Sequence, residues 1–314
     1  MTRLLDKVAV IGGAGYIGTV LTRKLLGLAK KVVVADNLSR HGDGLFELIP
    51  YDQFKFCRLD ITDYGAVRKF FDDENPTAVI LLSSLVGVPA CNANPYLADK
   101  VNDEGWANVA DVSRYIPLVG ASTESVYGPN TGKISEKTIP HPNSIYATSK
   151  YGGDYHVRNI GNGKVLRFVT CIGPSPAMRL NLLPHEIAFD LLTRRVATIY
   201  EGNAPRNFID IQDFCDVLIW AIVNFDNLSH DIYNVGTPNN VMTKKELAES
   251  IQKYTGGDLV FVEYNKDEDG REYQLDFSRI EAEGFEVQSL ESRRTIENIV
   301  EAIKLIRPET HRYQ

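Results

Sequence analysis

Tyr146 and Lys150 lie four residues apart, separated by Ala-Thr-Ser. On a helix this spacing places both side chains on one face, where their head groups can converge. An ammonium group beside a phenol favours the phenolate and lowers the phenol pKa from about 10 toward neutrality. Such a pair can act as a general base, but the same spacing also occurs on exposed helices with no chemical role. Which interpretation applies depends on the elements that position the pair.

A glycine-rich turn follows the first apolar run of the chain. The run Lys7–Ile11 leads directly into Gly12–Gly18, and a helical pattern of apolar residues follows. A strand, a glycine turn and a helix in this order are typical of dinucleotide binding. Gly12 permits the tight turn, Gly15 lets the backbone approach a pyrophosphate at the helix N-terminus, and Gly18 allows close packing.

An acidic residue ends the second predicted strand. Lys31–Ala35 is apolar apart from its first residue, and Asp36 follows at the place where a carboxylate binds the adenosine ribose hydroxyls. A carboxylate there repels a 2′-phosphate, so the sequence favours NAD over NADP. Arg40 is the nearest residue that argues for NADP.

The apolar pattern predicts an α/β fold with a doubly wound parallel sheet of the Rossmann type and a smaller C-terminal substrate-binding domain. We place the cofactor domain at residues 1–172 and the mainly substrate-binding part at 173–314, with some segments returning to the sheet. The predicted elements are strands Phe54–Leu59, Val79–Leu82, Leu118–Ala121, Val165–Cys171 and Thr198–Tyr200 and helices Tyr64–Phe71, Leu183–Arg194, Lys244–Tyr254 and Leu290–Ile306.

Composition and charge exclude several classes of function. The 314 residues, 44% of them hydrophobic, suffice for a substantial core. A formal net charge of −7 argues against a broad nucleic-acid or anionic-membrane surface. No apolar run reaches spanning length and the first strand comes too early for a signal peptide, so no membrane association is expected. Four scattered cysteines indicate free thiols in the cytoplasm, and the histidines lack metal-ligand spacing, so no metal is expected.

The order and spacing of several short motifs resemble the extended short-chain dehydrogenase/reductase family, in particular its nucleotide-sugar epimerases, dehydratases and 4-dehydrogenases. The resemblance covers nearly the whole chain. The matching segments are Gly12–Gly18, Asp36-Asn37, Asp60-Ile61, Leu82–Ser84, Val101-Asn102, Thr123–Gly128, Tyr146–Lys150, Gly173-Pro174, Arg206–Ile211 and Tyr233–Gly236.

The resemblance implies a set of cofactor-binding residues. These are Gly12, Gly15, Tyr16, Ile17 and Gly18 at the pyrophosphate, Asp36 and Asn37 at the adenosine ribose, Asp60 and Ile61 beside the adenine, Leu82 and Ser83 along the cleft, Asn102 in support, and Tyr146 and Lys150 at the nicotinamide. Two departures occur: Ile11 stands where the family usually has Thr, and Leu81–Ser84 replaces a His-Leu-Ala-Ala run. The second departure places the Ser84 hydroxyl near the expected sugar.

Thr123 matches the catalytic Ser or Thr of the family and completes a triad with Tyr146 and Lys150. The resemblance implies that Tyr146 removes a hydroxyl proton while a hydride passes to the nicotinamide. Lys150 would stabilise the phenolate and bind the nicotinamide ribose, and Thr123 would hydrogen-bond the reacting sugar oxygen.

The residues after Thr123 bear on the reaction. Family dehydratases generally place an acidic base at the second following position, which is Ser125 here. The acidic residue is Glu124, one position earlier. Adjacent side chains of an extended segment point to opposite faces. Glu124 is open to two interpretations, a catalytic acid at the substrate or a buried structural acid. The pattern disfavours 4,6-dehydration.

Arginines are expected to bind the diphosphate, because a forked guanidinium matches phosphate geometry. Arg206 and Arg271 match positions where the family contacts the diphosphate, and Arg179 and Asn181 are candidate sugar or phosphate ligands. A surface salt bridge is the equal alternative for Arg206 and Arg271. Helical stretches Glu104–Arg114 and Tyr146–Ile160 pair across a two-fold axis in many relatives, so a homodimer is expected by analogy.

We therefore expect an NAD-dependent oxidoreductase that acts at C4 of a nucleotide-activated sugar, an NDP-hexose or a GDP-heptose. Two outcomes are open, 4-dehydrogenation and 4-epimerisation through a 4-keto intermediate. The Val86–Cys91 and Ser175–Pro184 segments resemble uncharacterised epimerase-like proteins and GDP-heptose 4-dehydrogenases. The alternatives are an NDP-sugar 4,6-dehydratase, a non-catalytic NAD(H)-binding regulator, and an NADPH-dependent reductase of small carbonyl compounds.

Overall fold

A computed structural model describes residues 5–40, 42–263 and 272–306. Its strands are β1 (Leu5–Ile11), β2 (Ala29–Asp36), β3 (Phe54–Arg58), β4 (Ala78–Leu81), β5 (Leu118–Thr123), β6 (Thr131–Ile134), β7 (Gly163–Phe168), β8 (Thr170–Ile172), β9 (Val196–Tyr200), β10 (Pro205–Asp210), β11 (Ile232–Val235), β12 (Val241–Thr243), β13 (Asp258–Val262) and β14 (Glu272–Leu275). Its helices are α1 (Tyr16–Leu26), α2 (Tyr64–Glu74), α3 (Val88–Ala93), α4 (Pro95–Asp99), α5 (Gly105–Val112), α6 (Ile145–Arg158), α7 (Leu183–Thr193), α8 (Ile211–Val223), α9 (Lys244–Thr255), α10 (Ser278–Ala282) and α11 (Thr295–Lys304).

A seven-stranded parallel sheet has the strand order β3-β2-β1-β4-β5-β7-β11. Successive residues of β1 belong to two apolar clusters, with Val8 and Val10 in one and Ala9 and Ile11 in the other. Both faces of the sheet are thus buried, as a parallel sheet requires. The predicted doubly wound sheet is confirmed. Its strand order reverses between β1 and β4, where such a sheet opens a ligand crevice at its carboxyl end.

The C-terminal part carries smaller sheets. β12, β10 and β8 form one, β9 pairs with β13, β6 pairs with β14, and β11 returns to the large sheet beside β7. A third apolar cluster draws its buried residues from the range 172–303. The division at residue 172 stays a proposal.

Two predicted elements were wrong in their extent. The strand Val165–Cys171 is broken at Val169, because β7 belongs to the large sheet whereas β8 pairs with β10. The helix predicted from Leu290 begins at Thr295. Arg294 takes a left-handed conformation with φ +53°, which the right-handed helix cannot continue through. Among the described helices, none is long and apolar enough to cross a membrane.

Candidate active site

The glycine turn after β1 has the close contacts that glycine allows. Gly12 has φ +84°, and a Cβ there would lie 2.4 Å from the Ser83 nitrogen. A Cβ on Gly18 would lie 2.4 Å from the Gly13 Cα. Gly15 is the residue before α1, and a Cβ on it would have the Gly12 oxygen as its nearest neighbour, at 3.5 Å. The turn is therefore packed on its protein side and open at the helix N-terminus, where an anion is stabilised.

Carboxylates stand at the ends of β2 and β3. Asp36 accepts hydrogen bonds from the Ala14 nitrogen at 3.0 Å and the Leu38 nitrogen at 2.8 Å, which ties β2 to the glycine turn. Asn37 donates to Asp60 at 3.2 Å. Burial raises the pKa of Asp60, but hydrogen bonds from Thr62 and Asn37 outweigh it, so the pKa is lowered overall. These acids give this end of the site a negative charge.

A cleft of about 420 Å³ runs along the carboxyl edge of the sheet. Most of the residues predicted from the sequence line it. They are Gly12, Gly15, Tyr16, Ile17, Gly18, Asp36, Asn37, Asp60, Ile61, Leu82, Ser83, Ser84, Thr123, Ser125, Tyr146, Lys150 and Arg179. Residues that are distant in the sequence thus share one cavity.

Tyr146 and Lys150 lie on the same helix, α6, and both line the cleft. Ser144 caps this helix by accepting a hydrogen bond from the Ala147 nitrogen at 3.1 Å, so Tyr146 occupies the first turn. Thr123 is the last residue of β5, and its hydroxyl lies at the same edge of the sheet. The strand end and the helix start therefore bring all three predicted catalytic side chains to the cleft.

Lys150 is almost completely buried, with 3% of its surface exposed. Its ammonium donates to the Ala121 carbonyl at 2.9 Å. Burial lowers the pKa of Lys150 to about 7, and Asp154 and Cys91 act in the opposite direction with smaller effect. The lysine charge is thus sensitive to the groups around it near neutral pH.

Asn102 lies in a π-helical turn, Lys100–Glu104, that joins α4 to α5. Its buried amide donates to the Leu85 carbonyl at 2.9 Å and to the Ser149 hydroxyl at 3.0 Å. Its oxygen accepts from the Leu85 nitrogen at 2.7 Å and the Ser84 hydroxyl at 3.0 Å. Asn102 itself does not line the described cleft. Its four hydrogen bonds instead fix the loop after β4 against the helix that carries Lys150.

The strand end at Thr123 places the following two residues differently. Thr123 accepts from the Ser125 nitrogen at 3.2 Å and donates to the Ser125 hydroxyl at 3.1 Å, so Ser125 lines the cleft. Glu124 begins a 3₁₀ turn, is 4% exposed, and is not among the described cleft residues. Its carbonyl accepts from the Tyr273 hydroxyl at 3.1 Å. The geometry favours the structural interpretation of Glu124 over the catalytic one.

Three other predicted substrate residues are not among the described residues that line the cleft. Asn181 accepts from the Arg179 guanidinium at 3.2 Å and so lies one contact behind the cavity. Arg206 lies on β10 and donates to the Pro205 carbonyl at 2.7 Å. Arg271 is outside the described residues. The roles of all three stay predictions.

Arg179 lies on the loop between β8 and α7. Burial lowers its pKa, as does the charge of Arg40, while Tyr146 acts in the opposite direction. Within the described residues, no carboxylate pairs with Arg179, and Asn181 is the side chain that accepts from it. A half-buried guanidinium that faces a cavity without an acidic partner suits an anionic ligand.

The loop that carries Arg179 is attached to the glycine turn and to a buried histidine. Tyr16 donates to the Gly173 carbonyl at 2.7 Å, and Ser175 donates to the Tyr16 carbonyl at 2.6 Å. His185 accepts from the Gly173 nitrogen at 3.3 Å, and its other ring nitrogen lies 2.6 Å from the Arg179 carbonyl. Burial lowers the pKa of His185 to about 4. The neutral imidazole therefore holds the loop.

No role at the site was predicted from the sequence for Trp106, Asp154 or His185. Trp106 follows Asn102 by four residues, so helical spacing could have indicated that the two side chains share one face. Asp154 likewise follows Lys150 by four residues and forms a buried ion pair with Arg167 at 2.8 Å. His185 gave no comparable signal, because its partners are backbone atoms of a loop. The described residues contain no group of His, Cys, Asp or Glu that could hold a metal ion.

Comparison with known proteins gives consistent matches. A family model described as NAD-dependent epimerase/dehydratase matches residues 8–236. A UDP-glucuronate 4-epimerase from Thermodesulfobacterium geofontis is 28% identical over 262 residues, covering 79% of this chain and 80% of that protein. A probable dTDP-glucose 4,6-dehydratase from Sinorhizobium fredii is 27% identical over 311 residues, covering 88% of this chain and 87% of that protein. A UDP-glucose 4-epimerase from Thermus thermophilus, solved with NAD, has a TM-score of 0.82 at 24% identity and covers 96% of this chain and 100% of that chain.

Proposed function

The chain belongs to the NAD-dependent epimerase/dehydratase family, and we propose that it oxidises a secondary hydroxyl, at C4, of a nucleotide-activated sugar. NAD is the cofactor, which confirms the prediction made from Asp36. In this reaction the hydroxyl proton passes to a protein base and the C4 hydride passes to NAD, so that a 4-keto sugar forms. The convergence of Thr123, Tyr146 and Lys150 on one cleft carries the proposal.

Each of the three residues has a role that follows from its position. Tyr146, half-buried on the first turn of α6, takes the hydroxyl proton. Lys150, one turn further on, stabilises the phenolate through its ammonium charge. Thr123, at the end of β5, orients the reacting oxygen by a hydrogen bond.

We favour 4-epimerisation or 4-dehydrogenation over 4,6-dehydration. Loss of water from the neighbouring carbons needs a base beside the new ketone, and the cleft presents the Ser125 hydroxyl at the position where the dehydratases of this family generally have an acid. The relatives include both 4-epimerases and a 4,6-dehydratase, so their names alone do not choose between these reactions. The Ser125 hydroxyl in the cleft supports our preference for epimerisation or dehydrogenation.

Recognition of the nucleotide diphosphate is assigned to Arg179 within the described cleft, and Arg206 and Arg271 stay candidates for the same task. A GDP-heptose substrate rests on the resemblance of the Val86–Cys91 and Ser175–Pro184 segments, and an NDP-hexose is the alternative. The homodimer and the cytoplasmic location also stay predictions.

The substrate class is tested by incubating the protein with NAD and a panel of UDP-, GDP-, dTDP- and CDP-sugars and recording product masses. An unchanged mass with a new stereoisomer indicates epimerisation, and loss of two hydrogens indicates dehydrogenation. Loss of water would contradict the argument from Ser125. If no nucleotide sugar reacts, the substrate class is wrong.

Two rival functions have their own tests. A non-catalytic NAD(H)-binding regulator would retain its biological effect after Tyr146→Phe, provided that NAD still binds. A reductase of small carbonyl compounds would bind NADP more tightly than NAD despite Asp36. The intact triad weighs against the first, and the acid at the end of β2 weighs against the second.

A further inference from the structure

Trp106 lies directly beneath the charged group of the predicted catalytic lysine. The Lys150 ammonium is 3.8 Å from the centroid of the Trp106 ring. Trp106 is fully buried on the first turn of α5, and its indole N–H donates to the Ser83 carbonyl at 2.8 Å. One side chain therefore contacts the lysine with its face and the cofactor cleft wall with its edge.

Two glycines make room for this ring. A Cβ on Gly120 would lie 2.8 Å from the Trp106 ring, and a Cβ on Gly153 would lie 2.9 Å from it. Gly120 belongs to the strand that ends at Thr123, and Gly153 belongs to the helix that carries Lys150. The indole is thus wedged between the two elements that position the catalytic groups.

The other charged or titratable groups near Lys150 offset only part of the lowering of its pKa by burial. Asp154 on α6 and Cys91 on α3 favour the charged lysine, while the Arg167 guanidinium on β7 pairs with Asp154 at 2.8 Å and so engages that carboxylate. Tyr146 is on the same helix as Lys150. An aromatic face adds a stabilisation of the ammonium that needs no further charge in the site, and desolvation strengthens such an interaction.

We propose that Trp106 is a positioning residue that keeps Lys150 protonated by a cation–π interaction, so that the lysine can stabilise the Tyr146 phenolate. The inference rests on the proposed function of Tyr146 and Lys150. It assigns to Trp106 an effect on the pH range of activity rather than direct contact with the substrate.

The test compares Trp106→Phe with Trp106→Leu. Phenylalanine keeps an aromatic face under the ammonium and loses only the hydrogen bond to Ser83, whereas leucine removes the face. With saturating NAD, the high-pH limb of kcat/KM should move down by about one pH unit in Trp106→Leu, roughly a tenfold change in the ionisation constant. In Trp106→Phe the limb should move by less than half as much. Equal limbs in wild type and Trp106→Leu would overturn the proposal.

A control addresses nonspecific loss of a tryptophan. Trp220 is half-buried on α8 and packs against Phe285, with ring centroids 5.4 Å apart. Trp220→Leu should leave the pH limb in place even where it lowers stability. If Trp220→Leu shifts the limb as much as Trp106→Leu does, the shift comes from a general loss of stability, and the proposal is also overturned.

A second measurement does not depend on a folded Trp106→Leu variant. The chain has two tryptophans, so the indole N–H signal of Trp106 can be assigned in 15N-labelled protein by comparison with Trp220→Phe. The signal should shift with pH as Lys150, whose ammonium lies 3.8 Å from the ring centroid, loses its proton, and this shift should be absent in Lys150→Met. The same titration in wild type and Lys150→Met would overturn the proposal.

The two proposals fail in different ways. If Lys150→Met and Tyr146→Phe keep wild-type activity, the proposed function is wrong. If both abolish activity while Trp106→Leu leaves the pH limb unchanged, the function stands and the role of Trp106 is wrong.

Discussion

The two ends of the cleft are built differently. At the Lys150 end, Asn102 and Trp106 are fully buried. They are hydrogen-bonded to the loop after β4 and, through Ser149, to the helix that carries Tyr146 and Lys150. At the Arg179 end, a half-buried guanidinium lies on a loop, and the described side chain that accepts from it is Asn181. Groups fixed on regular elements suit a reaction step that is common to many substrates. A charged group on a loop suits recognition of one class of ligand.

The largest effect is expected at the Lys150 end. Lys150→Met keeps the length of the side chain and removes its charge, so kcat/KM should fall by roughly 10²- to 10⁴-fold, the range that acid–base assistance supplies. Lys164→Met is the matched control. Lys164 is a partly buried lysine that donates to the Leu228 and His230 carbonyls, away from the described cleft. Equal losses in the two variants would show that the loss does not come from the position of Lys150 in the cleft.

Acid is expected to lower the unfolding free energy through the Arg179 end of the cleft. The pKa of His185 is lowered to about 4 in the folded protein, against 6.5 as its ordinary value. The unfolded chain therefore binds the extra proton between these values. The stability held by neutral His185 is complete above about pH 6.5 and declines toward pH 4, by at most about 3 kcal/mol of unfolding free energy.

Urea unfolding of wild type and His185→Gln at several pH values measures this effect. The difference in unfolding free energy between the two proteins should shrink as the pH falls from 7 to 4.5. If the unfolding free energies of wild type and His185→Gln change with pH in the same way, the imidazole does not hold the loop.

A smaller effect, confined to binding, is expected from Arg179→Ala. Charge-assisted hydrogen bonds contribute about 1.5–3 kcal/mol, so KM for the nucleotide sugar should rise by roughly 10- to 100-fold while kcat changes little. Arg194→Ala removes an exposed arginine that pairs with Asp190 at 3.0 Å and serves as the control. If Arg179→Ala raises KM for NAD instead, Arg179 belongs to the cofactor site and the contrast between the two ends has to be redrawn.

Local sequence patterns could be predicted from the sequence, whereas contacts between distant segments could not. The strands around the glycine turn and the spacing of Tyr146 and Lys150 are local patterns, and the structure places them as expected. The break at Val169 and the left-handed Arg294 depend on pairing with distant strands and on a single backbone conformation. The contact between Trp106 and Lys150 likewise depends on the packing of two helices, which no local pattern encodes.

We expect this chain to transfer a hydride from a nucleotide sugar to NAD with Tyr146 as the base. Single-turnover absorbance at 340 nm, recorded with a reactive sugar from the panel, tests it in wild type and Tyr146→Phe, with NAD binding measured in both. We expect reduced cofactor to form in the wild type and its rate of formation to fall by roughly 10²- to 10⁴-fold in the variant, with NAD still bound. Equal rates in the two proteins would contradict the role of Tyr146 as the base.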